Sequence, residues 1–573
     1  METDVRQTIL ALALAIPGFG AHGAAVADDI KLNQLGFLPG AAKFAVVPDG
    51  TAREFKVVEV GSGKVVLSSA LGQAARSPDS GDTVRLASFG ALTKPGKYQV
   101  RVDGLPDSVP FEVSVSAYQA VNAASIKAFY LNRAGIALDA KHAGVYARAA
   151  GHPDTQVLIH ESAASPSRPA GAIISSPKGW YDAGDYNKYI VNSGISTYTL
   201  LAAYEDFPAF FRQQNLNIPE SGNGKPDLLN EALWNLEWML TMQDPADGGV
   251  YHKLTNLRFD GMVMPDQATQ PRYVVQKSTA AALDFAAVMA TASRVYAPFD
   301  KALSARMLTA AQSAWRWAQA HPRDYYQQPK DVVTGDYGDK DVSDEFAWAA
   351  AELYITTGDD EFYKAMHAPE QAATVSSWGD VRGLAWLSLA RHHKKLTAAA
   401  DQALIASRVD TLAQKLASGW QQSPYGITMQ TGDYVWGSSA VALNQAMVLL
   451  HAYRLNGKRA YLDAAQSSLD YVLGRNAVDT SFVTGYGSKS TMHPHHRPSE
   501  ADGIAAPQPG FLAGGPQPGQ QDKKDCPQPY PSALPAKSYL DHVCSYASNE
   551  IAINWNAPLV YVSAGLQALT PAK

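Results

Sequence analysis

The stretch Gly179-Trp-Tyr-Asp-Ala-Gly-Asp-Tyr-Asn-Lys188 places two carboxylates, Asp182 and Asp185, three positions apart around Ala183 and Gly184. Trp180, Tyr181 and Tyr186 flank them. Glycine permits a tight or φ > 0 backbone, so both acids can face one small space. Two acids beside aromatic rings suit the activation of water next to a sugar. The plain alternative is an acidic loop that holds a cation or caps a helix. Far along the chain, Ser545-Tyr-Ala-Ser-Asn-Glu-Ile-Ala-Ile-Asn-Trp-Asn-Ala-Pro-Leu-Val560 sets Glu550 among Tyr546, Ile551, Ile553, Trp555 and Leu559. An acid deprived of hydration there has a raised pKa. It then stays protonated near neutral pH, as a general acid must. The alternative is a glutamate on the polar side of an amphipathic helix.

Three segments together resemble the signature regions of glycoside hydrolase family 9. They are Asp-Ala-Gly-Asp at 182–185, Pro-His-His-Arg at 494–497 and Asn-Glu-Ile-Ala-Ile-Asn-Trp-Asn-Ala at 549–557, in the family's order across nearly the whole chain. The resemblance implies an (α/α)6 barrel with a cleft at one end, and inverting hydrolysis of β-1,4-glucans. Inverting glycosidases hold two carboxyl groups roughly 6.5–9.5 Å apart, with water between. By resemblance Asp185 is the base, Asp182 holds and polarises the water, and Glu550 is the acid. Backbone N–H groups of the Gly184 turn can offset repulsion within the aspartate pair.

The same resemblance implies that His495 and Arg497 contact sugar hydroxyls, with Asp541 supporting those contacts. It also implies that Trp436 and Trp555 are platforms for sugar rings. Read on its own, Met492-His-Pro-His-His-Arg-Pro498 offers a metal site or an exposed polar loop. Its prolines break the spacing that would align ligands on one helix face. Asp341, Asp344, Glu345 and Asp380 resemble a structural calcium site of some family members, since calcium takes several oxygen ligands. A helix cap at Ser343 or Asp344 is the alternative. The cysteine-containing zinc pattern of other members is not apparent. No cofactor is expected for the chemistry.

The hydrophobic period changes near residue 116. Between 29 and 115, short β-branched runs such as Phe55-Lys-Val-Val-Glu-Val60 and Tyr98-Gln-Val-Arg-Val102 alternate with Gly, Pro, Asp and Ser, as in an immunoglobulin-type sandwich. Lys31-Leu-Asn-Gln-Leu-Gly-Phe also resembles the start of the Ig-like module found before some family 9 catalytic domains, and its expected role is to brace. From 116 to 573 about eleven helical segments are expected, among them 190–206, 277–296, 343–357, 437–456 and 547–568, with almost no strands. The long intervening stretches 135–189 and 475–546 have the length of functional loops. The Pro- and Gly-rich segment 498–546 is expected to fold over one end of the cleft. That, together with the chain ending soon after Glu550, favours soluble oligosaccharides over crystalline cellulose.

The 573 residues exceed one ordinary core. A net charge of −6, without a basic block, argues against nucleic acid or an anionic membrane as partner. A monomer is expected. Residues 1–28 read as an export segment, with a short apolar run over 9–16 and Ala25-Val-Ala27 resembling a cleavage site. The two cysteines, Cys526 and Cys544, make a disulfide an expectation for an exported protein. Three functions follow. The first is a β-1,4-glucan or cellodextrin hydrolase. The second is an exo-β-glucosaminidase acting on chitosan oligosaccharides, and the third a glucan-binding protein without catalysis.

Overall fold

The structure, a computed structural model, describes residues 30–571; the expected export segment lies outside the described residues. The N-terminal part is two packed sheets. Its strands are β1 (Gly36–Phe37), β2 (Phe44–Pro48), β3 (Glu54–Glu59), β4 (Val65–Ala70), β5 (Ala75–Arg76), β6 (Thr83–Ser88), β7 (Gly96–Arg101) and β8 (Phe111–Val113). One sheet runs β1-β8-β7-β3-β4 and the other β2-β6-β5. Inward-facing Phe55, Val57, Ala45, Val47, Tyr98 and Val100 alternate with exposed residues, as a sandwich requires. Phe37 meets Phe89 and Phe111 edge-on at 5.4 and 5.5 Å at its centre.

Six helices form a closed inner ring. They are Ile190–Asp206, Thr279–Tyr296, Ser343–Thr357, Arg382–His392, Ser438–Asn456 and Ile553–Leu569. Each packs on the next, and the last returns to the first. These helices are buried on nearly every side, as a ring core demands. Ala280, Ala281, Ala282, Ala286, Ala287 and Ala290 show how: small side chains let helix axes approach closely. A second ring covers the first, with Lys301–Ala320 against Thr279–Tyr296 and Arg459–Val472 against Ser438–Asn456. Outer helices bury only a stripe; in Gln402–Gln422 it is Ile405, Val409, Ala413, Leu416 and Ala417. Local signals start and stop them. Asp300 and Asp401 accept N–H bonds from Leu303 and Leu404, and Gly358 takes φ 71° where Ser343–Thr357 ends. This is the expected Ig-like sandwich followed by an (α/α)6 barrel.

Two departures bear on function. The expected helix over 547–568 is broken: a short turn at Tyr546–Asn549 ends before Glu550, which is extended at φ −67°, ψ 156°, and the long helix begins at Ile553. The extended residue bridges to His495, so Glu550 is aimed by strand-like pairing. Second, a five-stranded sheet lies within the helical part. It joins Val157–Ile159, Ile173–Ile174, Lys188–Tyr189, Lys253–Thr255 and Tyr273–Val274. Its strands are two or three residues long, too short for a period-2 pattern to register in the sequence.

The two parts are tied together rather than merely linked. Asn33 donates to Asp470 at 2.9 Å, Lys537 pairs with Asp82 at 2.5 Å, and Tyr425 donates to Asp82 at 2.7 Å. The segment 498–546 takes part in this seam, since Ala536 N–H bonds Asp79 O. Among the described residues, Tyr546 alone of that segment lines the cleft. The expectation that the segment folds over the cleft is therefore corrected: residues 534–537 reach the sandwich, while Gly514, Gly515 and Pro516 pair with Ser438, Ser439, Ser548 and Glu550 of the barrel.

Candidate active site

The N-terminal ends of the inner helices surround one cleft of about 1080 Å3. That lies at the top of the roughly 300–1,000 Å3 range for small-molecule sites, room enough for an oligosaccharide. The segments entering those helices supply its walls: Asp182, Ala183 and Asp185; Gly335 to Gly338; Trp378; Trp436; and Glu550 with Trp555. Helix N-termini carry partial positive charge and favour anions nearby.

The 182–187 turn closes on itself through Asp182 N–H to Asn187 O at 3.1 Å. Asp182 and Asp185 are 1% and 6% exposed. Asn192 and Tyr337 donate to Asp182 Oδ1 and Oδ2, both at 2.7 Å. Asn187 and Tyr189 donate to Asp185 Oδ2 at 2.5 and 3.0 Å. Burial first, and the charge of Asp185 second, push the Asp182 carboxyl up to about 8. Burial and the neighbouring carboxylate thus both favour the protonated form of Asp182.

Three backbone links zip the distant segments together: Ile553 N–H to Asp182 O at 2.9 Å, His495 N–H to Asn549 O at 2.9 Å, and Arg497 N–H to Gly184 O at 3.3 Å. Gly184 N–H donates to Glu550 Oε1 at 3.3 Å. The expected N–H groups of that turn thus serve the glutamate, and side chains serve the aspartates. Gly184 is required for closeness rather than for φ > 0. A Cβ there would sit 2.3 Å from His495 O and 3.2 Å from Glu550 Oε1. Glu550 is half-buried at the cleft wall. Lost hydration, then the charges of Asp185 and Asp182, raise its carboxyl well above the usual range.

The other expected residues divide. His495 lines the cleft and binds Val543 O at 2.6 Å through Nδ1. Burial lowers its pKa, so the ring is neutral; since a carbonyl only accepts, Nδ1 carries the hydrogen and Nε2 is an acceptor. Arg497 borders the cleft, but its guanidinium is committed to Gly184 O and Asp260 O at 2.5 to 3.0 Å. It holds the 182–187 turn in place. Asp541 stays outside the cleft and accepts N–H bonds from Met492 and His493, both at 2.8 Å, so it shapes the loop that carries His495. Trp436 is 42% exposed on the cleft wall beside Tyr546, ring centroids 5.6 Å apart. Trp555 forms the floor, nearly buried under Gly437.

The calcium expectation does not assemble. Among the described residues no three His, Cys, Asp or Glu side chains gather as a metal set. Arg382 faces both Asp344 and Asp380, at 3.9 and 3.7 Å, so two of the four expected acids share a guanidinium, and Glu345 is buried beside Asp344. Asp341 instead accepts Ser343 N–H at the helix start. The three histidines of 493–496 also diverge, with His496 turned to Asn132. Cys526 and Cys544 are bonded, as expected.

Sequence reasoning passed over Tyr337, Tyr189, Asn187, Asn192, Trp378 and Phe259. Tyr189 and Asn187 lie within or beside the opening stretch, and their spacing from Asp185 was legible. Nothing local marks Tyr337, whose partner is 155 positions away.

Comparison with known proteins accords with this geometry. Residues 118–563 match glycosyl hydrolase family 9, and residues 25–107 match the cellulase N-terminal Ig-like domain. A xyloglucan-specific endo-β-1,4-glucanase of Bacteroides ovatus is 47% identical over 563 residues, 95% of this chain and 94% of its own. A cellodextrinase of Butyrivibrio fibrisolvens is 32% identical, covering 94% and 99%. A solved structure, Bacteroides ovatus GH9, superposes with TM-score 0.88 at 44% identity, over 95% of this chain and 99% of that one. On its sequence, its two-part fold and its cleft, the chain belongs to glycosyl hydrolase family 9.

Proposed function

We propose that the protein hydrolyses β-1,4-glucosidic bonds in soluble glucan chains with inversion of configuration. The observation that carries this is the direct bridge from the Gly184 turn to Glu550, which fixes an acid and an aspartate pair on one aromatic-walled cleft. Asp185 takes a proton from a water held beside Asp182. The oxygen attacks the anomeric carbon from the face opposite the leaving sugar. Glu550 delivers its proton to the departing glycosidic oxygen as that bond breaks. Afterwards Asp185 releases its proton and Glu550 regains one from solvent. Trp436, Trp378 and Trp555 offer flat faces to sugar C–H groups.

Endo action is the favoured mode, because among the described residues Tyr546 alone of the 498–546 segment lines the cleft. The relatives named for xyloglucan and for cellodextrins define the substrates to compare. The reading includes a monomer exported from the cytoplasm, for which the Cys526–Cys544 bond and the apolar 9–16 run speak. Proton NMR during hydrolysis of cellohexaose, xyloglucan and chitosan hexasaccharide tests it. The α-anomer should appear first from one of the two glucans. First appearance of the β-anomer, or turnover of chitosan alone, would overturn it.

A further inference from the structure

We infer that Lys253 is a positioning residue of this cleft, holding segment 334–337 so that both aspartates stay in register. The inference rests on the hydrolytic function proposed above. Lys253 is fully buried in the Lys253–Thr255 strand, its Cα paired across the sheet with Tyr189. Its ammonium donates to Gly335 O at 2.6 Å, to Gln328 Oε1 at 2.9 Å and to Thr334 Oγ1 at 3.2 Å. None of these acceptors is charged, and among the described residues no carboxylate hydrogen-bonds to it. A buried cation without such a partner is costly, so its retention calls for a role.

Two hydrogen-bonded paths lead from that ammonium to Asp185. On the first, Gly335 N–H donates to Tyr189 Oη at 3.1 Å, and Tyr189 donates to Asp185 Oδ2. On the second, Thr334 Oγ1 meets Thr255 Oγ1 at 2.7 Å, Thr255 shares its one hydrogen between Asn256 O at 2.7 Å and Asn187 Oδ1 at 3.1 Å, and Asn187 donates to Asp185 Oδ2. The same segment ends in Tyr337, the donor to Asp182 Oδ2. One side chain thus anchors the donors of both aspartates. The ionisable groups around it are Asp336 and Asp185, the phenols of Tyr189 and Tyr326 at 5.6 and 5.4 Å, and His252, stacked on Tyr326. Burial brings the ammonium down to about 7, against the pull of Asp336 and Asp185. Its field therefore reaches the base most fully on the acidic side of neutrality.

Steady-state kinetics on the glucan that wild type cleaves tests this. Lys253→Met should lower kcat about thirtyfold with KM within about threefold, since it loosens chemistry more than binding. It should also move the acidic limb of kcat/KM upward by about half to one pH unit, because the base loses a neighbouring cation. Lys253→Arg keeps the charge and should hold the limb at its wild-type position. A folded Lys253→Met with the wild-type limb and kcat within threefold overturns the inference. If that variant does not fold, Thr334→Val severs the second path and should lower kcat about fivefold at constant KM; an unchanged kcat overturns the inference. Lack of turnover by wild type itself would instead refute the hydrolase reading.

Discussion

Replacing Asp182 by Asn should abolish turnover and yet stabilise the protein. In the fold the Asp182 carboxyl is raised from its ordinary value of 3.8 to about 8, chiefly by burial and then by Asp185. The folded state therefore binds this proton more tightly than the unfolded chain does. A raised acid costs stability as pH climbs. The cost is absent below about pH 4, grows between 3.8 and about 8, and is constant above that. At pH 7 about three units separate the ordinary value from the medium, each ~1.36 kcal/mol, giving ~4 kcal/mol.

Asparagine removes this cost while keeping the local bonds. Its oxygen still accepts from Asn192, and its amide can donate to the Tyr337 hydroxyl, which rotates. With unfolding entropy of ~2.1 cal/mol/K per residue, a chain of this length gains on the order of 3 °C in Tm. Differential scanning calorimetry of both proteins at pH 4.5, 6, 7 and 8 provides the assay. The difference should be about a quarter of its pH 7 size at pH 4.5 and rise to a plateau near pH 8. A difference that is equal at all four values, or a less stable variant at pH 8, would refute the reasoning.

Three further outcomes are expected. Glu550→Gln and Asp185→Asn should each cost about 10²–10⁴-fold in turnover; a dinitrophenyl leaving group should partly restore the first and not the second, and equal restoration would reverse the assigned roles. Gly184→Ala drives a Cβ to 2.3 Å from His495 O, and should cost about 1–3 kcal/mol and at least tenfold in kcat, seen together in a thermal melt and an activity assay; full activity would mean the turn is not tightly held. Cys526→Ser with Cys544→Ser opens an 18-residue separation and should cost about 3 kcal/mol in denaturant unfolding, whereas an unchanged midpoint would show the loop to be ordered by its other contacts.

Much was legible along the chain because it is written locally. Alternating β-branched residues marked the sandwich, and the helical period marked stretches such as that beginning at Thr279, while their closure into a ring was implied only by the family resemblance. The Asp182–Asp185 spacing and the apolar setting of Glu550 marked the chemistry. The helix count came close because each helix carries its own period and caps. Short strands such as Lys188–Tyr189 left no such pattern, and the break at Glu550 hid inside a run that reads as continuous helix.

By itself the sequence determined which segments are strand or helix and which acids belong to the site, since propensity, burial pattern and motif spacing act over a few residues. Only the tertiary structure decided that Glu550 is extended, that Arg497 holds a turn, that Arg382 faces two of the expected calcium acids, and that Tyr337 serves Asp182 from 155 positions away. Those outcomes depend on which backbone groups and charges meet after the ring closes. Such meetings are set by packing among distant segments, and no local pattern encodes them.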